Sequence, residues 1–313
     1  MLNERTQLII RLVSTHLVLI PVLMLVSLLV NRDTYLLLSI SQSLLIILYL
    51  TGYWEFFGLK FKMIYFISLE SLLLAELEWK ICSKVLSHVN IVLISILLAI
   101  QLYLLFELIK VIIVIFGKSR IAYEIAFPFK QGKYLVTDGG NSKVSRLMNY
   151  HFYSGMHKRN GTNYSMLFAT DIVRIDNAKK LFLPAQNEDY PIFGEKVVSP
   201  ISGVVFKIEN TIKDNNPYCG NYPYNTGNTI VIRNHNRYLL LGHLKMGSIK
   251  VNEGDLVKEN DLLAEGGNSG YSERPHIHMQ LIESNSENYW KGMGISVQFK
   301  GTNLFKNRVI DVK

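Results

Sequence analysis

The stretch that decides the fold of the larger part of this chain is Gly242-His243-Leu244, followed further along by Arg274-Pro275-His276-Ile277-His278. Successive side chains of a β-strand point to opposite faces, so a strand that contains His276 and His278 presents both imidazoles on one face. Histidine is the commonest metal ligand, and two imidazoles on one face can share an ion. An isolated pair of this kind is more often two exposed polar residues, but the third histidine and the nearby glycines favour a metal site.

The chain has 313 residues and a formal net charge of +8, and its composition changes along its length. Leucine, isoleucine, valine and phenylalanine dominate up to Gly117, whereas glycine, asparagine, tyrosine and lysine become frequent after Lys118. The first part holds 8 Lys and Arg against 7 Asp and Glu, which leaves 25 against 18 in the second. This basic second part suits an anionic partner such as cell wall or lipid headgroups, although a lysine-rich solubilising surface has the same composition. No basic stripe with interleaved aromatic residues is present, so we expect no nucleic-acid partner.

Residues 1–117 are predicted to form an N-terminal α-helical transmembrane bundle with three or four spans. The apolar segments lie at about 8–30, 35–57, 64–77 and 91–116. The first segment leads straight into the second without a small-residue cleavage site, so it is interpreted as a retained span that contacts the lipid bilayer. The segment 64–77 carries Glu70 and Glu76 and is short for a span, so it either crosses or forms a re-entrant or interfacial helix.

The charges that flank these segments leave the topology open. If 64–77 does not cross, the positive-inside rule places the C-terminal part outside, and if it does cross, the same rule places that part in the cytoplasm. Ionisable residues inside a membrane are costly and are often functional. For Glu70, Glu107 and Lys110 we favour the simpler interpretation that they pair inside a small bundle.

From residue 125 onward the sequence predicts many short strands separated by turns, which is typical of an all-β barrel or sandwich. The predicted strands are 126–129 paired with 134–136, 167–175 carrying Asp171, 197–198 followed by a tight turn and 204–205, and a hairpin of 229–233 with 238–241 around His235-Asn236. The chain is thereby divided into 1–117, a linker at 118–126, a β domain at 127–285 and a C-terminal extension at 286–313.

Five motifs follow one another in this β domain: Ser199-Pro200-Ile201-Ser202-Gly203-Val204, His243-Leu244, Val251-Asn252-Glu253-Gly254-Asp255-Leu256-Val257, Gly267-Asn268-Ser269-Gly270 and Pro275-His276-Ile277-His278. In this order they resemble the LytM/lysostaphin-type zinc metallopeptidases, peptidase family M23, over about 127–283. The resemblance implies an antiparallel β-sheet with barrel- or sandwich-like packing and lipoyl-like hairpins. It also implies a Zn2+ cofactor and an endopeptidase that acts on peptidoglycan or another peptide substrate.

The same resemblance implies a role for four residues. Asp171 and His278 match the aspartate and the second histidine that bind zinc. His243 and His276 match the two histidines that flank the attacking water and the substrate carbonyl. Zinc in such a site activates water and polarises a carbonyl, and a neighbouring imidazole can take a proton or stabilise the oxyanion, because histidine titrates near neutral pH.

One position departs from the family pattern. The first histidine ligand should lie four residues before Asp171, and that position is Leu167, which cannot bind a metal. A divergent branch with a GGN…NHH segment ahead of its aspartate strand is similar to Gly139-Gly140-Asn141 and the later Asn149-Tyr150-His151. That similarity implies His151 as the third zinc ligand, with His157 in reserve.

Three functions follow from these residues. The first, which we favour because Asp171, His243, His276 and His278 are all present, is a zinc metalloendopeptidase in a multi-pass bacterial cell membrane protein with its domain extracytoplasmic. The second is a non-catalytic M23-like scaffold that recruits or activates a cell-wall enzyme or an exporter. The third is a biotinyl/lipoyl-like adaptor of an export system, which shares the glycine turns but leaves the three histidines unexplained and has no lysine at the attachment turn.

Overall fold

The computed structural model describes residues 4–29, 34–83, 91–117, 122–176, 183–221 and 225–313. The chain forms two compact units, Met1–Ile113 and Val114–Lys313. The helices described between residues 4 and 117 are α1 Glu4–Leu12, α2 Leu19–Leu29, α3 Thr34–Thr51, α4 Leu59–Ser83 and α5 Ile91–Phe116, with a π-helical segment Val13–Val18 between α1 and α2.

Within the part of the chain that the structure describes, two helical segments are long and apolar enough to cross a membrane, Leu8–Ser27 and Ile91–Phe116. The apolar segment Tyr35–Thr51 is shorter, because the helix ends before Gly52. α4 has 25 residues, more than the predicted 64–77, because charged helix-forming residues extend it at both ends. The structure thus supports two candidate spans, and the total of three or four stays a prediction.

Three ionisable residues of these helices, Glu70, Glu107 and Lys110, have close polar partners. Gln42 donates a hydrogen bond of 2.7 Å to Glu70, and Lys110 forms an ion pair of 2.9 Å with Glu107 one turn earlier in α5. Pairing lowers the cost of placing such groups among apolar helices. These contacts agree with the interpretation that these residues pair inside a small helical bundle.

The second unit is built from short strands: β1 Ala122–Glu124, β2 Gly132–Asp138, β3 Thr170–Arg174, β4 Lys196–Val198, β5 Gly203–Glu209, β6 Asn228–Asn234, β7 Arg237–Leu244, β8 Leu256–Val257, β9 Leu262–Glu265, β10 Ile277–Glu283, β11 Met293–Phe299, β12 Thr302–Asn303 and β13 Val309–Val312. The main sheet has the order β13-β2-β3-β10-β7-β6-β5-β8, and β11 joins β10, β1 and β12. Except for the parallel pair β1–β11, the pairing is antiparallel. The predicted all-β antiparallel domain is confirmed.

The middle of the sheet is buried on both faces, which explains the apolar run of β7. Leu239 and Leu241 point into the main core, whereas Tyr238 and Leu240 pack on the other face with Tyr289. A strand covered on both faces has no solvent side, so its sequence does not alternate between apolar and polar residues. This rigid centre carries the strands that hold the site.

The structure corrects one strand pairing and extends the sheet. Residues 126–129 do not form a strand, and β2 pairs instead with β13 and β3. β4 and β5 follow one another as predicted but belong to different sheets, because β4 pairs with β9 and β5 with β6 and β8. The hairpin of β6 and β7 around His235-Asn236 is confirmed.

The ends of the β unit also join its sheet. The segment predicted as an extension, 286–313, contributes β11, β12 and β13. In the predicted linker, residues 118–121 lie outside the described residues, while β1 pairs with β11. The strands at both ends of this unit are therefore fixed by backbone hydrogen bonds.

Candidate metal and catalytic site

The site lies where β10 runs between β3 and β7. In the pairing register His278 is opposite Asp171 on β3 and opposite Gly242 on β7. His243 follows Gly242 directly, and His276 precedes the first residue of β10. Strand pairing alone therefore collects an aspartate and three histidines from three separate parts of the sequence.

Three side chains converge as a candidate metal site. The Nδ1 atom of His278 lies 2.9 Å from Oδ1 of Asp171, and Nε2 of His151 lies 3.5 Å from Oδ2 of the same carboxylate. One ligand atom from each of the three residues lies within 4.8 Å of the other two. The rings of His151 and His278 meet edge to face, with centroids 5.0 Å apart.

The donor set fits zinc. Zinc takes imidazole nitrogen and carboxylate oxygen at about 2.0–2.2 Å in a tetrahedron, which sets donor atoms roughly 3.3 Å apart. The 3.5 Å separation of His151 and Asp171 is close to that value, and the 2.9 Å separation of His278 and Asp171 is somewhat shorter. Three protein donors also leave the fourth position open, as catalytic zinc sites require.

His151 reaches the site from the irregular segment between β2 and β3. It begins a short 3-10 helix, His151–Tyr153. Leu167, at the position of the missing family ligand, is buried in the turn before β3, and its carbonyl accepts hydrogen bonds from the backbone and hydroxyl of Ser142. Leu167 therefore has a packing role, and the segment that it anchors carries His151.

The reserve candidate, His157, lies elsewhere. It is on the short helix α6, Gly155–Arg159, and its Nδ1 is 3.2 Å from the hydroxyl of Thr162. Burial lowers the pKa of His157 to about 3, so the ring is neutral. Among the described residues, the group that can hold a metal contains His151 and not His157.

His243 and His276 form a second pair beside the carboxylate. Their ring centroids are 4.6 Å apart, and Nε2 of His276 is 3.7 Å from Oδ1 of Asp171. The backbone of His243 has φ of +59°, in the left-handed region that costs a non-glycine residue energy. A 2.7 Å hydrogen bond from its N–H to the carbonyl of Thr226 holds this conformation.

Backbone carbonyls fix the outer nitrogens of both rings. Nδ1 of His243 lies 2.8 Å from the carbonyl oxygen of Ser269, and Nδ1 of His276 lies 2.8 Å from that of Arg274. A carbonyl only accepts, so each Nδ1 carries a proton and each Nε2 keeps its lone pair. The hydroxyl of Ser272, 3.1 Å from His276, is a contact that sequence reasoning missed, because no pattern links these positions.

The electrostatics of the site centre on Asp171. Burial would raise the pKa of this carboxyl, but the surrounding His151, His276 and His278 hold it well below its usual range. Burial lowers the pKa of His151 and His276 and holds that of His243 well below its ordinary value. Burial would lower the pKa of His278 too, but its hydrogen bond to Asp171 raises it overall. The site thus combines the carboxylate of Asp171 with three neutral imidazole rings, those of His151, His243 and His276.

Comparisons with known proteins cover part of this site. Residues 189–289 match the model of peptidase family M23, a range that contains His243, His276 and His278 but not Asp171 or His151. Endolysin 2638A of Staphylococcus phage 2638A is 41% identical over 61 residues, which is 18% of this chain and 13% of that protein. The chain therefore spans only a small part of that relative.

Solved structures that are similar to part of this chain include two peptidases. The catalytic domain of lysostaphin from Staphylococcus simulans is 20% identical, with a TM-score of 0.27, over 40% of this chain and 73% of that one. The M23 metalloprotease pseudoalterin from the deep sea is 15% identical, with a TM-score of 0.33, over 62% of this chain and 99% of that one.

The geometry predicts which substitutions remove a bound metal. Purified full-length protein in detergent is expected to hold one zinc ion, measured by atomic emission after gel filtration. His151→Ala, Asp171→Ala and His278→Ala each remove one of the three donors and are expected to lose most of the zinc. His157→Ala is the matched control, since it removes a nearby buried imidazole but no donor. Zinc retained in His151→Ala and lost in His157→Ala would contradict the ligand assignment.

Proposed function

Because residues 189–289 match the model of peptidase family M23, we propose that the chain is a membrane-anchored zinc metalloendopeptidase that cleaves peptide bonds in peptidoglycan. The observation that carries this proposal is the convergence of His151, Asp171 and His278 beside two imidazoles with free Nε2 atoms. A scaffold without turnover would need neither the third donor nor that second pair. The proposal assigns this activity to the predicted β domain 127–285, whose sheet also contains strands from the predicted linker 118–126 and extension 286–313.

The proposed chemistry is hydrolysis of a peptide bond. Zinc, when bound by the three ligands, supplies Lewis-acid activation of the attacking water and of the scissile carbonyl. The neutral Nε2 of His276, nearest the carboxylate, accepts a proton from the water. His276 then passes that proton to the leaving amine, and the neutral Nε2 of His243, whose ring lies 4.6 Å away, is a second acceptor for a proton of the water. Burial keeps both rings unprotonated and ready to accept.

The surface around His151 supports an anionic wall substrate. Residues 139–170 contain no Asp or Glu but four Lys and Arg. Stem peptides of a bacterial wall carry carboxylates, so a cationic surface complements them. Three cations lie over tyrosine rings: Lys143 over Tyr164 at 5.4 Å, Arg146 over Tyr150 at 5.0 Å and Lys158 over Tyr153 at 5.0 Å.

The catalytic pair gives a direct test of turnover. His243→Gln and His276→Gln are expected to lower release of new amino groups from purified cell-wall material by roughly 10²–10⁴-fold, because each removes a proton-transfer group. Both variants should keep their zinc. His235→Gln, in the exposed β6–β7 turn, is the control and should match the wild type. A zinc-loaded wild type without hydrolysis would instead favour the non-catalytic scaffold.

The cationic surface predicts a loss of substrate affinity. The triple variant Lys143→Gln, Arg146→Gln, Lys158→Gln is expected to raise the KM for cell-wall fragments severalfold with little change in kcat, because these side chains lie outside the metal group. The control is a triple variant of exposed lysines elsewhere, Lys250→Gln, Lys258→Gln, Lys291→Gln. It also loses three positive charges, so its net charge equals that of the first triple variant. Equal KM values for the two triple variants would show that only net charge matters and would contradict this surface as the binding region.

The proposed location places the β unit outside the cell, with the weak segment not crossing the membrane. Cys219 lies in this unit and is exposed, so it can report the location in a Cys82→Ser background. A membrane-impermeant maleimide is expected to label Cys219 in intact cells as completely as in lysed cells. Labelling that requires lysis would place the unit in the cytoplasm and would indicate a fourth span.

A further inference from the structure

Two buried amide side chains contact the outward-facing nitrogens of the two candidate ligand imidazoles. We propose that Asn149 and Gln280 are positioning residues that determine which ring nitrogen of His151 and of His278 faces the metal. The inference rests on the proposed zinc site. It concerns residues outside the ligand set, and its first test needs no metal.

The argument for Asn149 follows from its hydrogen bonds. This side chain is fully buried, and its Nδ2 donates to the carbonyls of Gly140 and Ala169, both at 2.8 Å. The two carbonyls fix the orientation of the amide, so the oxygen must be the atom that faces His151. That Oδ1 accepts the backbone N–H of His151 at 3.1 Å and lies 2.7 Å from its Nδ1.

An amide oxygen has no proton to give, so Nδ1 of His151 is the donor in this contact. In the neutral ring, Nε2 then keeps its lone pair, and it is this atom that lies 3.5 Å from the carboxylate of Asp171. The lone pair of His151 Nε2 and the carboxylate oxygen of Asp171 are both acceptors, and they face each other without a proton between them. A cation bound by both removes that conflict, which is the arrangement a metal ligand requires.

Gln280 contacts the ring of His278, and both side chains lie on the same face of β10. It lies two residues further along β10, is almost fully buried, and has its Oε1 3.0 Å from Nε2 of His278. If Nδ1 of His278 binds the metal, the neutral ring must carry its proton on Nε2, and a buried N–H needs an acceptor. The Oε1 of Gln280 supplies it, whereas no partner for its Nε2 is found among the described residues.

The two contacts have opposite effects on the two rings. His151 is held with Nε2 toward the site and His278 with Nδ1 toward the site, so the two donors approach from rings of different orientation. Outer partners of metal-bound histidines fix the tautomer and the ring orientation, and carboxylates often do so. Here both partners are neutral amides. Asp171 thus remains the one carboxylate among the three proposed ligands and their two outer partners.

The first experiment measures proton positions without metal. Full-length protein with ¹⁵N-labelled histidine, in detergent with chelator, is examined by long-range ¹H–¹⁵N correlation, with the His151 signal assigned from His151→Gln. We expect His151 in the Nδ1–H form, the less common form of a free imidazole. An Nε2–H form would overturn the inference. A protein that shows the Nδ1–H form but binds no zinc would contradict the proposed function and leave the assignment for Asn149 intact.

The second experiment uses a matched pair of substitutions at position 280. Gln280→Met keeps the length of the side chain but removes the acceptor, and is expected to weaken zinc binding about 10–100-fold in competition with a chromogenic chelator. Gln280→Glu keeps the acceptor and should bind zinc at least as tightly as the wild type. Wild-type affinity in Gln280→Met, or equal losses in both variants, would show that Gln280 only fills space and would overturn its role.

Discussion

The antiparallel pairing of β10 with β3 on one side and β7 on the other is the constraint on which the site depends. It sets His278 opposite Asp171 and Gly242 in one register. A slip of one residue would turn every side chain of β10 to the other face of the sheet. The buried residues on both faces of β7 resist such a slip, so the core that stabilises the domain also positions the ligands.

A single carboxylate organises the electrostatics around that register. Asp171 lies among His151, His276 and His278, whose outer nitrogens contact amide or carbonyl oxygens. Burying a charged group is expensive unless polar neighbours compensate for the lost water. The hydrogen bond between His278 and Asp171 does so for the carboxylate, and the outer partners keep the rings in fixed orientations. Such preorganisation is what a metal site and a proton-transfer pair both require.

The sequence predicted local features better than long-range ones. Period two placed His276 and His278 on one face, and the β6–β7 hairpin was predicted from its strands and turn. The strand that pairs with β4 could not be predicted. The tight turn after β4 suggests a hairpin with β5, whereas the backbone hydrogen bonds of β4 are made with β9. His151 lies in an irregular segment where no periodicity applies, so only the family resemblance pointed to it. Gln280 was overlooked, since a lone amide matches no motif.

The account depends most on a metal held by His151 in place of the family histidine that Leu167 replaces. Anomalous diffraction at the zinc edge from crystals of the full-length protein tests this directly. We predict one anomalous peak at about 2.0–2.2 Å from Nε2 of His151, a carboxylate oxygen of Asp171 and Nδ1 of His278. A peak without His151 among its ligands, or no peak from zinc-supplemented crystals, would contradict the account.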